Sequence, residues 1–287
     1  MSTSMPMSTS SRHCGSPTTP RHEDIPLDDI DFARIRDRED MLFILAASSF
    51  VEFASDTYAG NLADYFRDDP EIAEWLSQRW EKEELQHGRA LRAYVQKVWP
   101  AFEWEAAYAR FFSEYSLTCG VEGYEPTHAL EMAARCVVET GTSTVYRAIR
   151  ELADEPVLIG LIEHIRSDEV RHYKYFLKYF DRYDAREKNS RMRVFGSLKR
   201  RLVEARHSDA EIGLWHAFVA VHPDEKRDGA RFAQTQSRVA RMIRKHYPAN
   251  QALKMMLKPL RLPNFLSTMI QPMVTLVALL VRQVLLR

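Results

Sequence analysis

The sequence predicts an all-α fold, an antiparallel four-helix bundle with additional C-terminal helices. Three observations carry this expectation. Glycine is scarce, at 10 of 287 residues, and long stretches hold neither glycine nor proline, which disfavours a turn-rich β architecture. Apolar residues recur at helical spacing, as in Leu42, Leu45, Ala46, Phe50, Phe53, Ala54 and Leu62. Four long helical stretches, with the loops between them, suggest an antiparallel bundle. A hydrophobic content of 45% fills a sizeable core, in one large domain or two small ones.

Taken in order, residues 1–22 are rich in Ser, Thr and Pro with almost no core formers. A disordered segment is expected there, with the bundle starting only at residue 39. The first helix spans 40–67 and ends at Asp69-Pro70, because proline cannot continue a helix. The second runs from about 71 to 98, before Pro100, and a shorter one covers 103–116. Gly120 and Gly123 mark a loop. Thr127 is the expected N-cap of the third long helix, which reaches about 152. Pro156 sits near the start of the fourth, which reaches about 183. Two more helical stretches, 186–206 and 209–245, come next. The expected organisation is therefore a disordered 1–38, a bundle over 39–184, a basic helical extension over 185–261, and an apolar C-terminal helix over 262–287.

Net charge is zero but unevenly spread. Residues 186–261 hold 18 Lys/Arg against 7 Asp/Glu, a net of +11, while residues 1–185 carry −13. A basic C-terminal third attracts an acidic protein, an anionic membrane or nucleic acid, or is simply a solvated face crowded with cations. No nucleic-acid motif or aromatic platform accompanies it, so nucleic acid is not an expected partner. The run 265–281 is apolar over 17 residues but is broken by Gln271 and Pro272. A span needs about 20 apolar residues, so an interfacial or docked helix fits better. Three scattered cysteines, Cys14, Cys119 and Cys136, make neither a disulfide framework nor a zinc knuckle. The first apolar run begins only at Met41, which reads as no secretory signal and a cytoplasmic, reducing location, with the tail offering membrane association.

The chemistry lies in a repeated pattern. Glu84-Leu85-Gln86-His87 and Glu169-Val170-Arg171-His172 are both Glu-x-x-His. Three residues apart on a helix, both side chains project from one face, so a carboxylate and an imidazole can bind one ion together. One such motif arises easily by chance; two copies 85 residues apart, on helices of matching length, do not. Glu52 and Glu139, 87 apart, supply one inward carboxylate on each of the other two helices. Both lie among apolar and small residues, where an uncompensated charge is costly. Taken singly, each Glu could snorkel and each His could be packing. Together, the six predict a site for two divalent ions. Oxygen and nitrogen donors without thiolate suit iron, and manganese shares that preference. No separate organic cofactor site is expected.

The surrounding residues narrow the match. Trp80-Glu81-Lys82-Glu83-Glu84-Leu85-Gln86-His87-Gly88 and Asp168-Glu169-Val170-Arg171-His172 resemble the W-x-x-E-E-x-x-H-G and D-E-x-R-H segments of the soluble acyl-carrier-protein desaturases, within the ferritin-like di-iron class. Thr142 three residues after Glu139, and Thr57-Tyr58 after Glu52, agree with that family. The resemblance covers about residues 40–183. Gln86 departs from it, standing where the family usually has Arg, and neither the basic third nor the tail is accounted for by it.

The resemblance implies a ferritin-like bundle holding two iron ions. It implies oxygen-dependent removal of hydrogen from an unactivated methylene of a fatty acyl chain on acyl carrier protein, electrons from a ferredoxin-like donor, and a homodimer. Asp168 and Glu83 are expected to accept the distal N–H of a ligand histidine, and Thr142 to lie near the oxygen site. Trp80 is either a donor to that network or core packing. Arg171 either pairs with one of those acids or faces solvent. His164 is not expected to be a ligand, and Tyr58 and Tyr146 are expected to pack. Arg191, Arg193, Lys199, Arg200 and Arg201 form the densest basic cluster for docking an acidic carrier. Two other readings stand beside this one: a di-iron hydroxylase of a lipid or quinone at a membrane surface, for which Lys254, Lys258, Arg261 and the tail speak, and a ferritin-like iron-oxidising or storage protein.

Overall fold

The computed structural model describes residues 22–118, 123–204 and 209–262. Among the described residues every regular element is helical. The helices are α1 (Phe32–Ile35), α2 (Glu39–Phe53), α3 (Asp56–Tyr65), α4 (Pro70–Trp75), α5 (Glu81–Val98), α6 (Trp104–Tyr115), α7 (His128–Leu152), α8 (Pro156–Glu187), α9 (Arg191–Glu204), α10 (Asp209–Val221), α11 (Ala230–His246) and α12 (Ala249–Leu257). A π-helical turn, Leu76–Trp80, joins α4 to α5.

Four helices frame the interior: α7 lies along α8, α2 lies along α5, and α5 touches α8. Both pairs are antiparallel. The α7–α8 connection is short, and its chemistry explains why. Glu155 is fully buried and accepts from the N–H groups of Val157 and Leu158 and from the Tyr94 hydroxyl, while Pro156 occupies the first turn, where its missing N–H costs nothing. Thr127 Oγ1 accepts from the Leu130 N–H at the start of α7, the cap its sequence position predicts. On the other pair, Trp99 after α5 donates its indole N–H to the Arg36 carbonyl before α2, at 2.9 Å.

The core is divided. One apolar cluster joins most of α2, the C-terminal half of α5, α6, the end of α7, the start of α8, and α10 and α11. A second joins α3, α4, the π-helical turn, the start of α7, the C-terminal half of α8, and α9 and α12. Along α8 the first cluster takes Val157 to Ile165 and the second takes Tyr173 to Tyr183. The residues between them, and their counterparts on α2, α5 and α7, form a buried polar layer.

Several expectations are corrected. Residues 22–38 are not disordered: Ile25, Ile30 and Ile35 are buried in the first cluster, and burying apolar surface repays their ordering. Residues 1–21 lie outside the described residues. The helix expected over 40–67 breaks after Phe53, where the Ala54 N–H is shared between the Phe50 and Val51 carbonyls and the chain restarts as α3. The helix expected over 71–98 contains the π-helical turn. The one expected over 209–245 is two, because Pro223 and Gly229 lie between α10 and α11 and proline cannot continue a helix. The residues after 185 do not stand apart: α10 packs on α2, and α9, α11 and α12 pack on α7. Gly213 of α10 sits so close to α2 that a Cβ there would be 3.2 Å from Ala47. No described helix is long and apolar enough to cross a membrane, and the run 265–281 lies outside the described residues, as do Cys14 and Cys119.

Candidate metal centre

The polar layer contains all six residues of the repeated pattern. One donor atom from each of Glu52, Glu84, His87 and Glu169 lies within 4.8 Å of the others, and so does one from each of Glu84, Glu139, Glu169 and His172. Glu84 and Glu169 belong to both groups, so two ions would share them. None of the six residues is more than about 5% exposed.

Local structure brings them together. Glu84 and His87, and Glu169 and His172, share helix faces through their three-residue spacing. Gly88 then lets α5 approach α2: a Cβ there would stand 2.8 Å from the Phe53 backbone nitrogen, closer than any side chain tolerates. That approach sets His87 against Glu52, with Nδ1 3.5 Å from Oε2. The π-helical turn ends at Trp80, one helical turn before Glu84. Such turns insert an extra residue into a helix and re-aim the side chains beyond it.

Each imidazole is held from outside the layer, and the holding is crossed. His87 Nε2 lies 3.3 Å from Asp168, the neighbour of Glu169. His172 Nε2 lies 2.8 Å from Glu83, the neighbour of Glu84. A carboxylate at Nε2 accepts the ring N–H and so leaves Nδ1 facing inward. Arg171 ties the two acids together, 2.5 Å from Asp168 and 2.9 Å from Glu83. Thr142 donates to Glu169 Oε2 at 2.5 Å, and the Tyr146 hydroxyl donates to Glu52 Oε1.

Inside this frame the inward atoms are unsatisfied. Glu84 Oε1, His87 Nδ1, Glu139 Oε2, Glu169 Oε1 and His172 Nδ1 are buried without a hydrogen-bond partner. His172 Nδ1 is 2.9 Å from Glu84 Oε1, and His87 Nδ1 is 3.1 Å from Glu169 Oε1, near enough for charge attraction but misaligned for hydrogen bonding. Buried polar atoms are ordinarily paired. Five orphans converging in one layer, from three helices, fit a cation.

Electrostatics without a cation are accordingly distorted. Burial, and then the Glu169 charge, pushes Glu84 and Glu139 well above the usual carboxylate range. Burial acts on Glu169 in the same direction, but His87 and His172 overcome it and hold its carboxyl low. Burial would lower both histidines, yet the surrounding carboxylates raise them, Asp168, Glu169 and Glu52 at His87 and Glu83, Glu139 and Glu169 at His172. Glu83, against burial, is pulled down to about 2 by His172 and Arg171. Carboxylates forced to keep protons beside protonated imidazoles are what an acidic pocket shows when no cation neutralises it.

The remaining candidates sort by contact. Trp80 packs its ring on Tyr58 and Phe176, 5.8 and 5.7 Å away, and its indole N–H is buried without a hydrogen-bond partner. His164 belongs to neither ligand group. Tyr58 lies close enough to Glu84 and Glu52 that, after burial, their charges raise its phenol. Tyr146, expected only to pack, touches a candidate ligand. Its signal is present in the sequence, seven residues after Glu139 and so on the same face of α7. Gly88 is visible there only as a motif letter. Of the basic cluster on α9, Arg200 pairs with Glu125, Arg201 with Glu204, and Arg191 donates to the Arg261 carbonyl, leaving Arg193 and Lys199. Cys136 is a buried free thiol. No protein-family model, curated protein or solved structure matches the chain.

Proposed function

We propose that the protein is an oxygen-dependent di-iron oxidoreductase of the ferritin-like class, acting on a fatty acyl chain carried by acyl carrier protein. The observation that carries the metal reading is the set of five buried, unpartnered donor atoms on Glu84, His87, Glu139, Glu169 and His172. Glu52 with His87 would hold one ion and Glu139 with His172 the other, with Glu84 and Glu169 shared. Four carboxylates balance two divalent cations, and the all-oxygen and nitrogen donor set suits iron or manganese. Bound iron would supply oxygen-dependent oxidation of an unactivated methylene.

The chain's own residues do the rest. Asp168 and Glu83 hold the imidazole tautomers, and Arg171 fixes the two acids against each other. Thr142 and Tyr146 each occupy one carboxylate oxygen, leaving the other oxygen of that carboxylate to face inward. The two apolar clusters flank the layer and exclude water. The acyl substrate, the acyl carrier protein, a ferredoxin-like electron donor and a homodimer rest on the motif resemblance around Glu84 and Glu169.

The reading is tested by loading metal-free protein anaerobically with ferrous iron, then admitting oxygen. Close to two irons per chain, and an oxygen-dependent absorbance change lost in His172→Ala, are expected. Iron uptake indifferent to Glu139→Ala and His172→Ala would make the six residues structural. Storage chemistry would differ by taking up many irons per chain without consuming acyl carrier substrate. The lipid or quinone hydroxylase uses the same ligands, and the exposed apolar side chains of α9 favour it as the second reading.

A further inference from the structure

We propose that the outward face of α9, together with the lysines of α12 beside it, docks the protein onto an anionic lipid bilayer. The inference does not depend on the metal reading. α9 buries one side, through Val194, Ser197 and Leu198, against the second cluster. The opposite side shows Met192, Phe195, Lys199 and Val203, at intervals of three and four residues and therefore in one stripe. Met192 is 75% exposed, Phe195 47% and Val203 46%. Single exposed apolar residues are ordinary; three of the five large apolar residues left exposed in the described structure, aligned on one helix, mark a contact surface.

Its cations identify what the surface meets. Arg193 and Lys199 on α9, and Lys254 and Lys258 one helical turn apart on and after α12, are exposed, and no described residue forms an ion pair with them. α9 and α12 both rest on α7, and residues Lys258–Leu260 touch α9. Arg191 also donates to the Arg261 carbonyl at 3.3 Å. The described chain ends at Leu262, beside α9, and its sequence continues into the apolar run 265–281 with Arg282 and Arg287 after it. An apolar stripe with cations that no described residue pairs, beside the point where the described chain ends and an apolar sequence follows, supplies the two signals that stable attachment to a bilayer requires. A bilayer offers anionic headgroups for the cations and hydrocarbon for Met192 and Phe195 in one continuous surface.

The test is co-sedimentation of the full-length protein with vesicles of phosphatidylcholine alone, or mixed with phosphatidylglycerol. Binding to the mixed vesicles only, weakened by added salt, is expected. Met192→Ser with Phe195→Ser, and separately Arg193→Glu with Lys199→Glu, should each weaken it about tenfold or more, with helical circular dichroism unchanged because these side chains are exposed. Hydrogen exchange on the unmodified protein is a check free of substitutions: residues 191–204 should gain protection on the mixed vesicles. Three results overturn the proposal. One is a protein retained by no vesicle. Another is α9 variants that bind as well as the unmodified chain while removal of 263–287 abolishes binding. The third is charge reversals that weaken only the capture of an acidic acyl carrier protein.

Discussion

The two Glu/Glu/His sets are near copies in sequence and unlike in their support. Glu139 lies in the middle of α7, and Glu169 and His172 in the middle of α8, helices of 25 and 32 residues without interruption. Glu52 is the penultimate residue of α2, and Glu84 comes one turn of α5 after the π-helical turn. Interior residues of a long helix are fixed by hydrogen bonds on both sides, whereas a terminal turn frays. The second set is therefore positioned by its own helices. The first is positioned by contacts from elsewhere: the close approach of Gly88 to Phe53, and the Tyr146 hydroxyl of α7 on Glu52. Duplicated ligands need not mean duplicated rigidity.

The sharpest way to break this comparison is to remove ligands singly. Glu84→Ala or Glu169→Ala should abolish binding of both ions, because each belongs to both groups. Glu52→Ala and Glu139→Ala should each leave about one iron per chain, counted by metal analysis after gel filtration, since each belongs to a single group. The comparison adds an asymmetry: the ion left in Glu52→Ala, held by the uninterrupted helices, should bind more tightly than the one left in Glu139→Ala. Equal affinities would mean that the difference in helix support has no energetic consequence.

Metal-free protein should also respond to pH in a definite sense. Glu84 and Glu139 keep protons in the fold that the unfolded chain releases near its ordinary value of 4.5. His87 and His172, raised above 6.5, contribute stability that is fully present below that value and lost as pH rises through the folded one. Glu169 and Glu83 act oppositely, losing their contribution as pH falls, Glu83 only toward about 2. Melting temperature of the metal-free protein should therefore fall between about pH 5 and about pH 8. Two divalent ions should remove the decline, since they replace the protons. A flat profile without metal would contradict the buried acidic layer.

Paired glycine substitutions ask the same question with a smaller effect. At Gly88 a Cβ meets the Phe53 backbone at 2.8 Å, whereas at Gly141, two residues after Glu139, it meets nothing within 4 Å. Alanine gains about 1 kcal/mol of helix propensity at either position. Overpacking costs about 1–3 kcal/mol, and backbone cannot swing aside, so at Gly88 the clash wins. Gly88→Ala should lower the melting temperature and weaken the Glu52–His87 ion. Gly141→Ala should raise the melting temperature or leave it unchanged. Thermal denaturation with and without iron separates the two, and equal shifts would remove Gly88 from the account of how the first set is held.

Legibility in the sequence divides along the same line, between what a helix fixes locally and what distant contacts impose. The Glu-x-x-His pairs are legible because ligand geometry at a spacing of three is a local property of a helix. Thr127 and Pro156 are legible because a cap or a first-turn proline acts on its own backbone. The break after Phe53 is not, since residues 54–55 are Ala and Ser and nothing there forbids a helix. Nor is the π-helical turn, which no breaker residue announces. Ile25, Ile30 and Ile35 recur every five residues, a period of neither helix nor strand, so the segment resembles disorder although each residue enters the core. Pro223 and Gly229 are breaker residues in plain view, but the apolar spacing on either side of them masks the interruption they cause.

Tyr146 gives the most selective predicted effect. Its hydroxyl donates to Glu52 Oε1 from α7, so it links the first set to the helix that carries Glu139 of the second. Tyr146→Phe keeps the ring and the packing while removing one hydrogen bond to a carboxylate, worth about 1.5–3 kcal/mol. With Oε1 released, Glu52 loses its tie to α7 and keeps only the end of α2 and the Gly88 contact beside it, and the ion it shares with His87 should bind about tenfold more weakly. The Glu139–His172 ion should be untouched. Thr142→Val is the contrast: Thr142 holds Glu169, which both ions share, so both affinities should fall together. Calorimetric titration with ferrous or manganous ions resolves the two steps. If Tyr146→Phe weakens both ions equally, the link between the sets runs through the shared carboxylates and not through the tyrosine.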